Sequence, residues 1–541
     1  MCQVRRMQAS NPVPRLPAAC LQPVPRLPTA DLQSCVKVTG CRPAILCQGY
    51  RLHTCNPVSR LPTADLKSCA KATGCRPAIL CQVFNPSTEE VVGSVANMGC
   101  REAEDAVSKA YSAFQTWKAT TAKGRSDLLK KAYQLVMKNK EKLARIITLE
   151  NGKPYRESLG EVAFGSSYIE WYAEECRRVQ GTVISSPSQS KRMMTIKQPI
   201  GVCALITPWN FPLTMVTRKA CAALSVGCTV VLKPSEETPL TALTLAELFR
   251  EAGLPEGVFN VVTCDRDGAA DIGGTLCESP LVSLLSFTGS SAVGKILLNQ
   301  ASGTVKRCHM ELGGNAPFIV MSSADLDDAV KGALDAKFRN TGQTCICPNR
   351  FLVQEDVHDE FVKRLNIAME KQLVTGDGFA DGTTQGPLIN AKAVDKVDDY
   401  VKDAVSKGAK LVRGGTRSSF GTKFYPSTVL TGVTLDMRCM HEEIFGPIIA
   451  IYRFKTEEEA IRIANATSYG LAGYAYTTDS KQQWRMAEAL DFGIVGLNEG
   501  LVSTAESPHG GFKESGIGRE GGIGIGLDDF LEVKYVCIGG L

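Results

Sequence analysis

The sequence predicts an α/β protein built on doubly wound, mostly parallel sheets. Three observations lead there. Short apolar, β-branched runs recur between residues 202 and 321 with helical patterns between them, the alternation that parallel βαβ units require. Two of those runs end in polar or glycine-containing turns that open helices, and ligands bind outside the carboxyl ends of such strands. The composition, 44% hydrophobic and 22% charged over 541 residues, is that of an ordinary globular chain, long enough for two or three domains.

The first 82 residues stand apart. They carry eleven Lys/Arg against two Asp/Glu, a balance of +9, so the chain's net +5 leaves the remainder at −4. They also hold nine of the 21 cysteines. Residues 26–48 and 60–82 repeat each other at 20 of 23 positions with a period of 34. Cys35, Cys41, Cys47 and Cys69, Cys75, Cys81 recur six apart, whereas zinc sites use tighter pairs. The first 30 residues contain four Arg and no acid, as a mitochondrial presequence does. The third reading is a duplicated stretch too short for a core and without a stable fold.

From Val83 the texture changes. Ala106, Ala110, Phe114 and Trp117 fall at helical spacing, so 101–117 is expected to be a helix, as is the amphipathic stretch 125–151. Residues 202–206, 229–232, 258–262, 281–287 and 318–321 read as buried strands, and 240–252 as a helix. No run of 18 apolar residues occurs, so no membrane span or membrane partner is expected. The basic residues of the body are interleaved with acids, which argues against a nucleic-acid surface. Its cysteines are scattered through apolar stretches, as reduced, packed thiols are.

Two strand ends suit a dinucleotide. Cys228-Thr-Val-Val-Leu-Lys-Pro-Ser-Glu236 places Lys233, Ser235 and Glu236 at the end of a strand. Lys233 can hold a ribose hydroxyl or phosphate, and Glu236 can accept from both adenosine ribose hydroxyls. A carboxylate there repels a 2′-phosphate, so NAD is expected over NADP. The alternative is a solvated loop. Leu284-Leu-Ser-Phe-Thr-Gly-Ser-Ser-Ala-Val-Gly294 brings Thr288, Gly289, Ser290 and Gly294 to a helix start, where backbone N–H groups bind phosphate.

Five motifs carry more: Ile206-Thr-Pro-Trp-Asn-Phe-Pro212, Phe287-Thr-Gly-Ser290, Met310-Glu-Leu-Gly-Gly-Asn315, Phe338-Arg-Asn-Thr-Gly-Gln-Thr-Cys345 and Glu443-Ile-Phe-Gly-Pro447. Together, over residues 83–541, they closely resemble the aldehyde dehydrogenase family in order and spacing. The resemblance implies the aldehyde dehydrogenase fold. A Rossmann-like cofactor domain covers 83–183 and 199–311, and an α/β catalytic domain covers 312–505. Strands near 184–198 and the tail 506–541 form a β oligomerisation arm of a homotetramer or homodimer. It implies Cys345 as the covalent nucleophile, Asn210 and the Cys345 backbone N–H as oxyanion donors, and Glu311 as the general base. Glu443 takes the nicotinamide ribose, with Trp209 and Phe445 also at cofactor positions. The chemistry agrees: a thiolate adding to an aldehyde makes the alkoxide from which hydride can leave. Cys345 follows a turn that can open a helix, and a helix N-terminus lowers a thiol pKa. Taken singly, a buried Cys packs, a Glu before Leu-Gly-Gly caps and an Asn before Phe-Pro turns; their conjunction beside a dinucleotide pattern points to catalysis. The rivals are a non-catalytic NAD-binding relative and a thiol hydrolase, which wants a paired histidine in a chain with only five.

Lys337-Phe-Arg-Asn-Thr-Gly-Gln-Thr-Cys345, Thr383-Thr-Gln-Gly-Pro-Leu-Ile-Asn390 and Tyr535-Val-Cys-Ile-Gly-Gly-Leu541 resemble their counterparts in succinate-semialdehyde dehydrogenases. That implies oxidation of succinate semialdehyde to succinate in 4-aminobutyrate breakdown, in mitochondria or else the cytoplasm. Another substrate, such as glutarate semialdehyde, stays open. A distal carboxylate needs cations or donors, and Arg218, Arg339 and Ser503 match the family's positions for them. Arg218, two helical turns after Asn210, can face the same cavity. The alternative places both arginines in salt bridges or on the surface. Cys347, two residues after the nucleophile, is a candidate to resolve an oxidised Cys345. No metal site is expected. Three departures from the family stand out. Its usual entry hairpin with a Phe-Ile-Asn-Gly-x-Trp-like segment is not found. His509 replaces a customary Phe. Gly521-Gly-Ile-Gly-Ile-Gly526 should weaken the helix expected there.

Overall fold

The computed structural model describes residues 80–540. Its first element is a hairpin of Leu80–Phe84 against Val91–Ala96, with Leu80 opposite Ala96 and Val83 opposite Gly93. Asn85 shapes the turn by accepting the Ser87 N–H at 2.8 Å. Leu80, Cys81 and Gln82 belong to the second repeat copy, so the folded body begins before Val83, where a strand partner holds them. The Phe-Ile-Asn-Gly-x-Trp-like segment does not occur among the described residues. The metal-module, presequence and unfolded-repeat readings of 1–79 lie outside them.

The first helix runs Cys100–Trp117 and buries Ala103, Val107, Ala110 and Trp117. The buried stripe therefore includes Ala103 and Val107 in place of Ala106 and Phe114. The amphipathic stretch 125–151 is two helices, Ala122–Lys138 and Lys140–Asn151. Asn139 separates them at φ −100°, ψ 18°, and its side-chain amide donates to the Leu135 carbonyl at 2.8 Å. A short polar side chain that bonds its own backbone in this way competes with helix propagation.

Two sheets dominate the body. One has six strands in the order Gly516–Ile517, Arg307–Glu311, Val282–Thr288, Val202–Ile206, Thr229–Lys233, Phe259–Val261. All its pairings are parallel except the outermost, Gly516 and Ile517 against Glu311 and Met310. The other has seven, in the order Lys410–Arg413, Thr428–Thr431, Ile448–Phe454, Pro348–Gln354, Ala316–Val320, Ala472–Tyr476, Ile494–Leu497, again parallel but for the first pair. The expected strands overlap observed ones, with ends shifted by one or two residues. Strands covered on both faces read as continuous apolar runs: Thr229–Lys233 and Ala316–Val320 are buried at every position.

A third sheet pairs Leu531–Gly539 antiparallel with Lys191–Pro199 over nine residues, with Val183–Ile184 on the far side. Residues 521–526 form turns, not the weakened helix expected from the glycines. Gly521, Gly522 and Gly524 have φ of 66°, 78° and 72°, left-handed values that glycine adopts without a Cβ penalty. Among the described residues no helix is long and apolar enough to cross a membrane.

Candidate active site

The loop that carries Cys345 is held in an unusual backbone path. Within the 3₁₀ turn Arg339–Gly342, Asn340 and Thr341 take φ of 48° and 56°. Such values cost about 1–3 kcal/mol for a non-glycine residue and persist only where surroundings enforce them. Gln343 supplies that enforcement. Its amide donates to Asn340 O at 3.0 Å and Pro387 O at 3.3 Å, and its Oε1 accepts the Ile389 N–H at 2.9 Å.

Cys345 follows in a turn before the strand Pro348–Gln354. It does not open a helix, so the helix N-terminus expected to lower its pKa is absent. Instead burial pushes the thiol up to about 12, with the Glu443 carboxylate adding to the effect and the Arg218 guanidinium opposing it.

Asn210 lies in the turn between Val202–Ile206 and the helix Thr214–Val226, which begins after it. Its Nδ2 donates to Gln343 O at 3.0 Å, and its Oδ1 accepts the Phe211 N–H at 3.1 Å. Its backbone carbonyl accepts from Lys153 Nζ at 2.7 Å and Asn340 Nδ2 at 2.9 Å. Lys153 is ion-paired with Glu161 at 2.5 Å, both side chains 1% exposed. Glu161 in turn accepts the Leu213 N–H at 2.9 Å. Lys153, Glu161 and Asn340 escaped the sequence reading. Arg156, Glu157 and Ser158 stand between Lys153 and Glu161, so no local pattern marked the pair.

Glu311 ends the strand Arg307–Glu311, where its carbonyl accepts the Gly289 N–H at 3.0 Å. Its buried carboxyl has no hydrogen-bond partner on either oxygen. Burial raises it well above the usual carboxylate range, and the charge of Glu520 raises it further. His309 Nε2 stands 3.9 Å from one oxygen and His509 Nε2 stands 3.8 Å from the other. The His509 departure thus borders Glu311, and burial, then Arg218, pushes the His509 pKa well below the ordinary value. Glu520 pairs with Lys219 at 2.6 Å and Arg218 Nε at 2.8 Å. Burial alone would raise Glu520, but these two cations hold it well below the usual range. Lys219 also donates to Ser286 Oγ at 2.8 Å. Glu520 and Lys219 were missed because the pair joins positions 301 residues apart.

Among the cofactor candidates, Lys233 ends its strand buried, donating to Pro234 O at 3.1 Å and lying 3.8 Å from Glu236. Ser235 Oγ accepts the Glu237 N–H at 3.3 Å. Ser290 caps the helix Ser291–Ala301 by accepting the Val293 N–H at 3.4 Å, and Gly294 packs on Leu312. Thr288 Oγ1 is buried without a partner at the foot of this helix, an orphan that a phosphate oxygen can satisfy. Glu443 Oε1 accepts the Gly314 N–H at 3.0 Å, and a Cβ on Gly314 would strike the Cys345 carbonyl. Phe445, at φ 55°, meets the Trp209 ring edge-on at 5.6 Å. These residues fit a dinucleotide.

Arg218 is 3% exposed and engaged with Glu520, so the salt-bridge reading holds for its Nε, while its Nη2 has no hydrogen-bond partner. Its guanidinium lies 5.4 Å from the Tyr168 ring centre. The Tyr168 hydroxyl donates to Thr504 O at 3.3 Å, beside Ser503, whose Oγ is buried and unpartnered. Arg339 lies over Phe211 at 5.4 Å, and among the described residues no carboxylate stands within 4.0 Å of its guanidinium. Cys347 is buried, with Sγ donating to Lys337 O at 3.4 Å.

Comparisons with known proteins show the family. The profile described as "Aldehyde dehydrogenase family" matches residues 77–536. The human protein named succinate-semialdehyde dehydrogenase, mitochondrial, is 56% identical over 459 residues, 85% of this chain and 86% of its own length. The crystal structure of succinate-semialdehyde dehydrogenase from Burkholderia pseudomallei has a TM-score of 0.83 at 48% identity, covering 85% of this chain and 95% of that one. That of an E. coli NADP-dependent enzyme has a TM-score of 0.84 at 48% identity, with the same coverage. The chain belongs to the aldehyde dehydrogenase family.

Proposed function

We propose that this enzyme, an NAD(P)-dependent aldehyde dehydrogenase, oxidises succinate semialdehyde to succinate with NAD as its preferred cofactor. The observation that carries the substrate is a set of donors left open: Arg218 Nη2 and Ser503 Oγ have no hydrogen-bond partner, and the guanidinium of Arg339 has no carboxylate partner among the described residues. A terminal carboxylate is the ligand that planar guanidinium groups and a hydroxyl satisfy. The name of the human relative points the same way.

Cys345 Sγ, once its proton has left for solvent, adds to the aldehyde carbon. The oxyanion of the thiohemiacetal accepts from Asn210 Nδ2 and the Cys345 N–H, donors already in place before charge develops. NAD(P), when bound, supplies the hydride acceptor that leaves a thioester on Cys345. Glu311 then takes a proton from water as its oxygen attacks the thioester carbon, the C–S bond breaks and the acid departs. Lys233, Ser235 and Glu236 serve the adenosine ribose. Thr288, Gly289, Ser290 and Gly294 serve the pyrophosphate, and Glu443, Phe445 and Trp209 the nicotinamide end. The Glu236 carboxylate argues for NAD, while the E. coli neighbour's title makes NADP the alternative.

The six-stranded sheet, with 83–183 and 199–311, then serves as cofactor domain and 312–505 as catalytic domain. The sheet of Lys191–Pro199 and Leu531–Gly539 serves as the arm of a homotetramer or homodimer. A mitochondrial site in 4-aminobutyrate breakdown accords with the relative's name. Steady-state assays of Arg339→Leu test the substrate: KM for succinate semialdehyde rises far more than KM for butanal. Equal losses on both aldehydes overturn the assignment.

A further inference from the structure

A base that takes a proton from water in every turnover must lose it again, and Glu311 is 4% exposed with no hydrogen-bonded outlet of its own. Strand alternation puts His309 and Glu311 on one face of Arg307–Glu311. His309 is 1% exposed, and its Nδ1 lies 2.6 Å from Asp529 Oδ2, whose side chain is 28% exposed. The ring therefore spans the distance from a buried carboxylate to one that reaches solvent. Burial would raise Asp529, but its bond to His309 lowers it below the usual range, so Asp529 is an anion that accepts from Nδ1–H. That bond orients the ring with Nδ1 on Asp529 and turns Nε2 away from it. Nε2 has no hydrogen-bond partner and stands 3.9 Å from Glu311 and 3.7 Å from Glu520.

The surroundings are built for the pair. Gly518, at φ 94°, follows the strand residues that face Glu311 and Met310, and a Cβ there would come 2.5 Å from both His309 Nδ1 and Asp529 Oδ2. Arg307 donates to the carbonyls of Asp529 and Leu531 at 2.8 Å each, pinning the segment that carries Asp529. The other groups facing the ring are poorer proton acceptors. Glu520 is committed to Lys219 and Arg218. His509 touches the other oxygen of Glu311 but is 5% exposed, and its Nδ1 has no partner to pass a proton on. Arg519 and Lys219 only add positive charge near Glu311.

We propose that His309, oriented by Asp529, is the positioning residue through which Glu311 discharges its proton during thioester hydrolysis. It rests on the reading of Glu311 as the hydrolytic base. A modest rotation of the Glu311 carboxyl, or one bridging water, closes the 3.9 Å gap. The proton moves from the Glu311 oxygen to His309 Nε2, leaving a carboxylate and an imidazolium paired with Asp529. The imidazolium then releases its Nδ1 proton to solvent by way of Asp529, and the ring, left protonated at Nε2, regains the Nδ1–H form by proton exchange with solvent before the next turnover.

The test compares full-length wild type with His309→Gln and Asp529→Asn, using whichever aldehyde the wild type oxidises and following NAD(P)H in the first and later turnovers. In both variants the first-turnover rate stays within about twofold, while steady-state turnover at pH 7 falls at least about tenfold. A burst of NAD(P)H therefore precedes a slow phase, and the deficit shrinks towards pH 9 as solvent takes the proton unaided. Nitrogen-15 histidine spectra of the cofactor-free enzyme show a ring protonated at Nδ1 with bare Nε2, lost in His309→Gln. Variants with no burst and an unchanged pH profile overturn the proposal. So does an equal loss of first and later turnovers at every pH, which marks a merely structural role, or an Nε2-protonated ring. Because any oxidised aldehyde serves, rejection of succinate semialdehyde would refute the substrate and leave this result standing.

Discussion

Asn210 donates its side-chain amide to the carbonyl of Gln343, 3.0 Å away and two residues before Cys345. The bond ties the turn leaving one sheet to the nucleophile loop entering the other. With Oδ1 engaged by the Phe211 N–H, the amide cannot flip, and its second N–H stays free for an oxyanion. Asn210→Ala should lower kcat about a hundredfold or more, the usual cost of one such donor, with KM nearly unchanged. A kcat within a few-fold of wild type would remove Asn210 from the oxyanion site.

Behind that turn, Lys153 and Glu161 form an ion pair with both side chains 1% exposed. Removing one partner of a buried pair typically costs about 3–5 kcal/mol, because the other charge is left uncompensated. Lys153→Met should show that loss in denaturant unfolding and release Asn210. The double variant Lys153→Met, Glu161→Leu should recover much of the stability but not the activity, since the contact to the Asn210 carbonyl is still gone.

The Cys345 thiol, pushed up to about 12 by burial and the Glu443 charge, is almost wholly protonated at pH 7. Since the thiolate is the reacting form, iodoacetamide should inactivate the cofactor-free enzyme about tenfold faster per pH unit between pH 7 and pH 10. A plateau below pH 8 would mean the thiol is activated even without ligands.

Glu311 gives a second pH limb. Its carboxyl is raised well above the ordinary value, so the protonated form, which cannot accept from water, persists to higher pH than for an ordinary carboxylate. Turnover limited by hydrolysis should therefore rise with pH through that raised pKa and fall as pH drops below it. Glu311→Gln should be slow at every pH, with no such limb.

Cys347 is buried, with Sγ on the Lys337 carbonyl. If it resolves an oxidised Cys345, peroxide inactivation of wild type is reversed by dithiothreitol, whereas that of Cys347→Ala is not. Full reversal in the variant would leave Cys347 as packing.

Much of the fold was legible because its strands are covered on both faces. A run such as Val202–Ile206 is apolar throughout, and no other element fits its length. The break at Asn139 was hidden because the amphipathic pattern continues across it. The turns at 521–526 were misread because a family pattern outweighed glycines that demand positive φ. At the site, Cys345, Glu311 and Asn210 stood in motifs, but the residues that tune them did not. Lys219, Glu520 and Asp529 reach the same face from distant parts of the chain, and no local period records such pairings. The thiol's raised pKa was invisible for the same reason: it depends on burial by the whole fold, not on the turn before it.

The most direct test of the account is the mass of the Cys345 peptide from Glu311→Gln after one turnover with succinate semialdehyde and NAD. Cys345 should carry a succinyl group, because the nucleophile and hydride steps run while hydrolysis stalls. Formation of NADH without any acyl group on Cys345 would contradict it.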